Sequence, residues 1–152
     1  MLSRQASHAL KALLELAREP QAWRSTHALA TAQQLPEPML ELLLLRLRRA
    51  GVLHARRGRL GGFRLARPAG EISVATVLTG LGEPMRKQSQ GDVRDSENSV
   101  KDGPADQVTR ALQNRLERAR QMALEQVSIE DLLFDLVSSE ASSGSESGLL
   151  LG

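Results

Sequence analysis

Cysteine is missing altogether from the 152 residues. That absence excludes disulfides, thiolate zinc sites, a thiol nucleophile and any iron–sulfur cluster held by cysteine. Histidine is scarce and scattered, at His8, His27 and His54, with no paired spacing that would hold a metal. The acids Asp92, Asp95, Glu97 and Asp102 do not follow the calcium-loop pattern and read as solvated. No nucleophile–base set stands out, so the chain is not expected to be an enzyme. Long apolar runs are missing too. The longest is Leu42–Leu45, far short of a membrane span. Arg4, Lys11 and Glu15 interrupt what would otherwise be a signal-peptide core. A soluble, cytoplasmic protein without a cofactor and without membrane contact is the expectation.

The formal net charge of +2 hides an asymmetry. Residues 1–70 carry 12 lysines and arginines against 4 acids, a balance of +8, whereas residues 71–152 carry 8 against 14, a balance of −6. A basic half joined to an acidic half suits a polyanion-binding head with a solvated or assembling tail; the bland alternative is a solvated basic face. Most of the cations are arginine, whose fork suits phosphates and guanine edges.

The basic residues concentrate in one stretch, Pro36 to Arg67, with eight arginines against Glu37 and Glu41. Pro38 fits the first turn of a helix that runs to Ala50, and Gly51 stops it. Leu40, Leu43, Leu44 and Leu47 form a core-facing stripe. Pro38, Leu42, Leu45 and Arg49 lie opposite, with Glu41 and Arg46 on the flanks. Two short strands follow, Val52–Arg56 and Phe63–Ala66, joined by a turn containing Gly58, Gly61 and Gly62. This turn lacks both the dinucleotide fingerprint and the P-loop lysine. A shorter helix, Thr26 to Gln33 with Ser25 or Thr26 as cap, precedes the arginine-rich one. Two helices joined by a tight turn and followed by a hairpin make a winged helix-turn-helix.

Around this unit, residues 2–18 carry a helical stripe of Leu2, Ala6, Ala9, Leu10, Leu13, Leu14 and Ala17, ended by Pro20. Trp23, in the next loop, reads as a core plug or as a sheltered edge near phosphates. Glu71 to Leu81 reads as a short helix capped by Ser73. Residues 84–104 are polar and charged and read as a flexible loop. A long helix from Ala105 to about Gln126 presents Val108, Leu112, Leu116, Ala119, Ala123 and Val127 at near-heptad spacing, a seam that calls for a partner. Ser128 to Asp131 resembles a capping box that starts a short helix through Val137, followed by a disordered-looking tail, 138–152.

The division is therefore a head (1–82), a loop (83–104), a dimerisation helix with a short following helix (105–137) and a tail. The fold class is mainly α with a small β-hairpin wing, a winged helix-turn-helix head plus a long C-terminal dimerisation helix.

The sequence resembles the Rrf-two family of bacterial winged-helix regulators, whose members include IscR, NsrR and CymR. The matching residues are Leu2-Ser3 with Ala9-Leu10, Leu40-Glu41, Leu47-Arg48 leading into Gly51-Val52-Leu53, and Ile72-Ser73-Val74. Arg57-Gly58, Gly61-Gly62-Phe63 and Leu65-Ala66 match most closely. Val127-Ser128-Ile129 and Leu132-Leu133 extend the match past the long helix. The resemblance implies a homodimer that binds an operator in double-stranded DNA, with the third helix in the major groove, Glu41 contacting bases and Arg57 in the minor groove; a repressor of transcription is the expectation. Arg46, Arg49, Arg56 and Arg59 are the expected phosphate contacts. Met39 and Leu42 replace the family's usual aromatic and polar residues on the reading face. Family members often bind an iron–sulfur cluster through cysteines in the 84–104 loop, chemistry that this chain cannot carry. Two alternatives stay open: a protein-interaction module using Leu42 and Leu45, and a regulator responding to an unknown small-molecule or protein effector.

Overall fold

The computed structural model describes residues 2–83 and 103–149, with the last five as backbone only. The loop expected over 84–104 lies almost wholly outside the described residues. Helix α1 (Arg4–Arg18) starts where the Ser3 hydroxyl accepts the Ala6 N–H at 3.0 Å, and Glu19 and Pro20 follow its last turn. It buries Ala6, Ala9, Leu10, Ala12, Leu13, Leu16 and Ala17, and packs against α2, α3, β2, α4 and α6. The small residues on that face let neighbouring helices approach closely.

Helix α2 (Thr26–Gln33) is capped by Ser25, whose hydroxyl accepts the Ala28 N–H at 3.0 Å. Gln34 then turns the chain through a left-handed conformation (φ 53°) into α3 (Glu37–Arg49). Leu40, Leu43, Leu44 and Leu47 are buried on α3, the stripe that the 3.6-residue period requires. Each such leucine contributes about 1.5–3 kcal/mol of transfer free energy. Gly51 (φ 78°) ends the helix, where a side chain would be strained.

Strands β1 (Leu53–Arg56) and β2 (Gly62–Leu65) pair antiparallel, with Leu53 opposite Leu65 and Arg56 opposite Gly62. A single turn of 3₁₀ helix (Ala69–Glu71) and α4 (Val74–Gly80) replace the one helix expected over 71–81. The break falls at Ile72 and Ser73, which are extended because they pair with another part of the chain. The Val74 N–H donates to the Val127 carbonyl at 2.8 Å, and the Ile129 N–H to the Ile72 carbonyl at 2.9 Å. Ser73 still caps α4, as its sequence position predicts.

Helix α5 (Pro104–Gln126) contacts α4 and buries no side chain. At its end Val127 leaves the helix for the bridge to Val74, so it does not continue the seam. Helix α6 (Ile129–Leu149) begins at a reciprocal cap: the Ser128 N–H donates to Asp131 Oδ2 at 2.9 Å, and the Asp131 N–H to Ser128 Oγ at 3.1 Å. Ile129 is fully buried in the head's core, and Leu132 and Leu133 pack against it. The helix does not end at Val137. Residues 138–149, expected as disordered tail, continue it. The Arg18 guanidinium of α1 pairs with Glu140, and the Ser142 and Ser143 hydroxyls donate to carbonyls one turn back. No described helix is long and apolar enough to cross a membrane.

Candidate nucleic-acid interface

The exposed side of α3 and the hairpin carry most of the head's free charge. Glu41 and Leu42 are exposed, Leu42 at 61 %. Met39 and Leu45 are half-buried and packed against the core, so Leu45 is not on the outward face expected of it. The α2–α3 turn is tied by His27 Nδ1 and Glu37 Oε2, 3.0 Å apart. Glu37 also stands in the first turn of α3, where a carboxylate complements the helix dipole.

The hairpin is fixed at its root. Arg24 pairs with Phe63 as a one-residue third strand, through N–H···O bonds of 3.0 and 2.8 Å. Gly62 permits this approach. A Cβ there would lie 2.3 Å from the Arg24 carbonyl oxygen, and its φ of 135° already favours glycine. Gly61 turns equally tightly, with a would-be Cβ 2.1 Å from the Arg56 carbonyl oxygen. Tight glycine packing thus narrows the hairpin and displays Arg57, Arg59 and Leu60, all exposed, Leu60 at 79 %. Among the described residues, no carboxylate pairs with Arg56, Arg57 or Arg59. Their positive field is therefore directed outward.

Trp23 is not a core plug. It is half-buried at the root of the hairpin, with the Arg64 guanidinium carbon 4.4 Å and that of Arg56 5.5 Å from its ring centre. Both distances suit cation–π attraction. Arg56 is thus held on an aromatic surface, and Arg64, absent from the expected contact set, shares it. A signal existed in the alternation of the strand, since Arg56 and Arg64 lie two residues apart across the register and share a face. The position of Trp23 beside them depends on the Arg24–Phe63 bridge, which no local pattern encodes.

Arg46 and Arg49 are not brought to the hairpin. Arg46 Nη1 donates to the Leu81 carbonyl at the end of α4, at 3.5 Å. Carbonyls at a helix C-terminus attract a guanidinium. Both arginines line a cleft of about 690 Å³ between α3, α4 and α5, together with Thr79, Gln121 and Glu125.

The expected seam of α5 is open. Val108, Leu112 and Leu116 are 69, 52 and 60 % exposed, and Ala119 and Ala123 are exposed with them. Arg18 and Glu140 have shifted titrations, each through its hydrogen bond to the other: the guanidinium is raised and the carboxyl held below its usual range. The Ser128 N–H likewise holds the Asp131 carboxyl low.

A family model described as Rrf2, iron-dependent transcriptional regulator, matches residues 2–135. A candidate helix-turn-helix regulator of Synechocystis sp. is 35 % identical over 145 residues, covering 94 % of each chain. The regulator IscR of Cereibacter sphaeroides is 30 % identical over 135 residues, 87 % of this chain and 86 % of its own. Among solved structures, the Bacillus subtilis global cysteine regulator CymR superposes with a TM-score of 0.69 at 26 % identity, over 88 % of this chain and 95 % of its own. IscR of T. potens superposes at 0.67 with 24 % identity, over 90 % and 88 %, a likeness of fold. The iron that the family description implies finds no fitting donors here. The chain has no cysteine, and no three His, Asp or Glu side chains cluster among the described residues. His27 is engaged by Glu37, while His8 and His54 lie on separate elements.

Proposed function

The chain belongs to the Rrf2 family of transcriptional regulators, proteins that are not enzymes, and from that premise we propose that it is a homodimeric repressor reading duplex DNA with α3 and the wing. The observation that carries this reading is the wing: a glycine-tightened hairpin whose arginines point outward without acidic partners. Arg57, beside Gly58 on the narrow turn, enters the minor groove, where an A·T-rich sequence deepens the negative potential. Arg59 and Arg56 neutralise flanking phosphates, with Arg56 positioned by Trp23. Glu41 accepts from a cytosine amino group in the major groove, and Met39 and Leu42 touch thymine methyls.

Pairing of α5 through Val108, Leu112 and Leu116, with Ala119 and Ala123 allowing close approach, sets two heads for half-sites about one helical turn, ~34 Å, apart. Repression is the simplest consequence of such binding, since occupying an operator blocks polymerase without any further contact. The site of action is the cytoplasm, at the nucleoid.

Selection of genomic fragments by the purified chain, followed by sequencing, tests this function. An enriched, two-fold symmetric sequence whose retention is lost with Arg57→Ala is the expected result. Recovery of a stoichiometric protein partner and no enriched sequence would replace DNA binding by a protein-interaction role.

A further inference from the structure

Opposite charges line the cleft between α3, α4 and α5 without meeting. Arg46 and Arg49 come from the end of α3, and Glu125 from α5; neither guanidinium forms an ion pair with that carboxylate. Gln121, one helical turn before Glu125, donates its Nε2–H to Glu125 Oε1 at 2.7 Å. A carboxylate only accepts, so this contact fixes which end of the amide faces Glu125. The Gln121 Oε1 atom is consequently buried with no donor. Thr76 and Thr79 line the wall of the cleft, which is open to solvent and about 690 Å³ in volume.

We propose that this cleft binds a small zwitterion of the α-amino-acid class. The ligand carboxylate lies against the Arg46 and Arg49 guanidiniums, whose forked donors suit it. The ligand ammonium donates to Glu125. A simple anion would meet the arginines but face Glu125 with repulsion. A simple cation would meet the opposite difficulty. Because Arg49 ends the recognition helix and Glu125 belongs to the proposed pairing helix, occupancy would fasten one to the other. That regulatory consequence rests on the DNA-binding role proposed for the chain; the site itself does not.

The test is thermal unfolding and calorimetric titration of the full chain with each of the twenty L-α-amino acids. Acetate, methylammonium and the N-acetyl derivative of the strongest amino acid serve as controls. At least one amino acid should raise the midpoint saturably while the controls at the same concentration do not. Arg49→Gln and Glu125→Gln should each weaken binding by roughly tenfold or more, the usual scale for removing one partner of a charge pair. No shift with any amino acid, an equal shift with acetate, or a shift that survives both substitutions would overturn the proposal. Binding that persists in a chain shown not to hold DNA would leave the site standing and remove the DNA reading instead.

Discussion

At the scale of single residues, the wing is held by contacts that pair distant positions. Trp23 is the only tryptophan and no tyrosine is present, so fluorescence reports directly on its stack with Arg56 and Arg64. Trp23→Ala should cost about 1 kcal/mol of stability, the sum of two partly exposed cation–π contacts, and should lower DNA affinity by releasing Arg56. Trp23→Phe should retain most of both. Chemical denaturation and a fluorescence-anisotropy titration with duplex DNA check this, and equal affinities for the Ala and Phe variants would refute the positioning role. Gly62→Ala is the harsher change. Its Cβ would meet the Arg24 carbonyl oxygen at 2.3 Å in a backbone region that L-residues avoid. A loss of about 1–3 kcal/mol is expected, whereas Gly82→Ala, with open space around its Cβ, carries only the strain of its φ and should cost less. Thermal melts of the two variants side by side decide the ranking. Residue positions such as Leu40, Leu43, Leu44 and Leu47 were legible in the sequence because one periodicity governs them. The Trp23 stack and the turn of Arg46 toward Leu81 were not, because each depends on a partner outside its own segment.

At the scale of elements, local signals placed α1, α2, α3 and the hairpin almost where they lie. Serines at positions 3, 25 and 73 cap helices by accepting the N–H three residues on, which is a short-range rule. The failures are equally physical. The bridge between Ser73 and Ser128 splits the helix expected over 71–81, and pairing across so many residues leaves no trace in either segment alone. Helix α6 outruns its expected end and lies along α1, with Arg18 paired to Glu140, a contact that composition cannot reveal. Its attachment should weaken in acid. Asp131 and Glu140 have carboxyl titrations depressed by the Ser128 N–H and the Arg18 hydrogen bond respectively. A depressed group stabilises above its unfolded value, near 4, and that contribution is lost as pH falls through the lower folded value. Helicity followed by circular dichroism should therefore fall at acidic pH, and Asp131→Asn with Glu140→Gln should flatten that acid limb. An unchanged acid limb in the double variant would remove the two carboxylates from the account.

At the scale of the whole molecule, a basic head carries the proposed DNA contacts and an acidic remainder the proposed pairing helix. The head's core closes over Ile129 from beyond α5, so the long helix leaves the head and the chain returns to it. Among the large apolar side chains left uncovered is the stripe of Val108, Leu112 and Leu116. Leu112→Glu with Leu116→Glu should convert a dimer to monomer in sedimentation while leaving the fold intact, since α5 buries none of its side chains. A wild-type chain that sediments as a monomer, or a dimer indifferent to both charges, would contradict the pairing proposed for α5. The central claim is that outward wing arginines bind duplex phosphate and the minor groove. The most direct measurement is affinity for the selected operator duplex across a series of salt concentrations, for the wild-type chain and for Arg57→Ala and Arg59→Ala. Each phosphate neutralised contributes a slope of about −0.9 in log affinity against log salt. The wild type should lose affinity steeply, Arg59→Ala should lower the slope by about one such contact, and Arg57→Ala should reduce affinity throughout. An affinity independent of salt, or indifferent to both substitutions, would contradict the account.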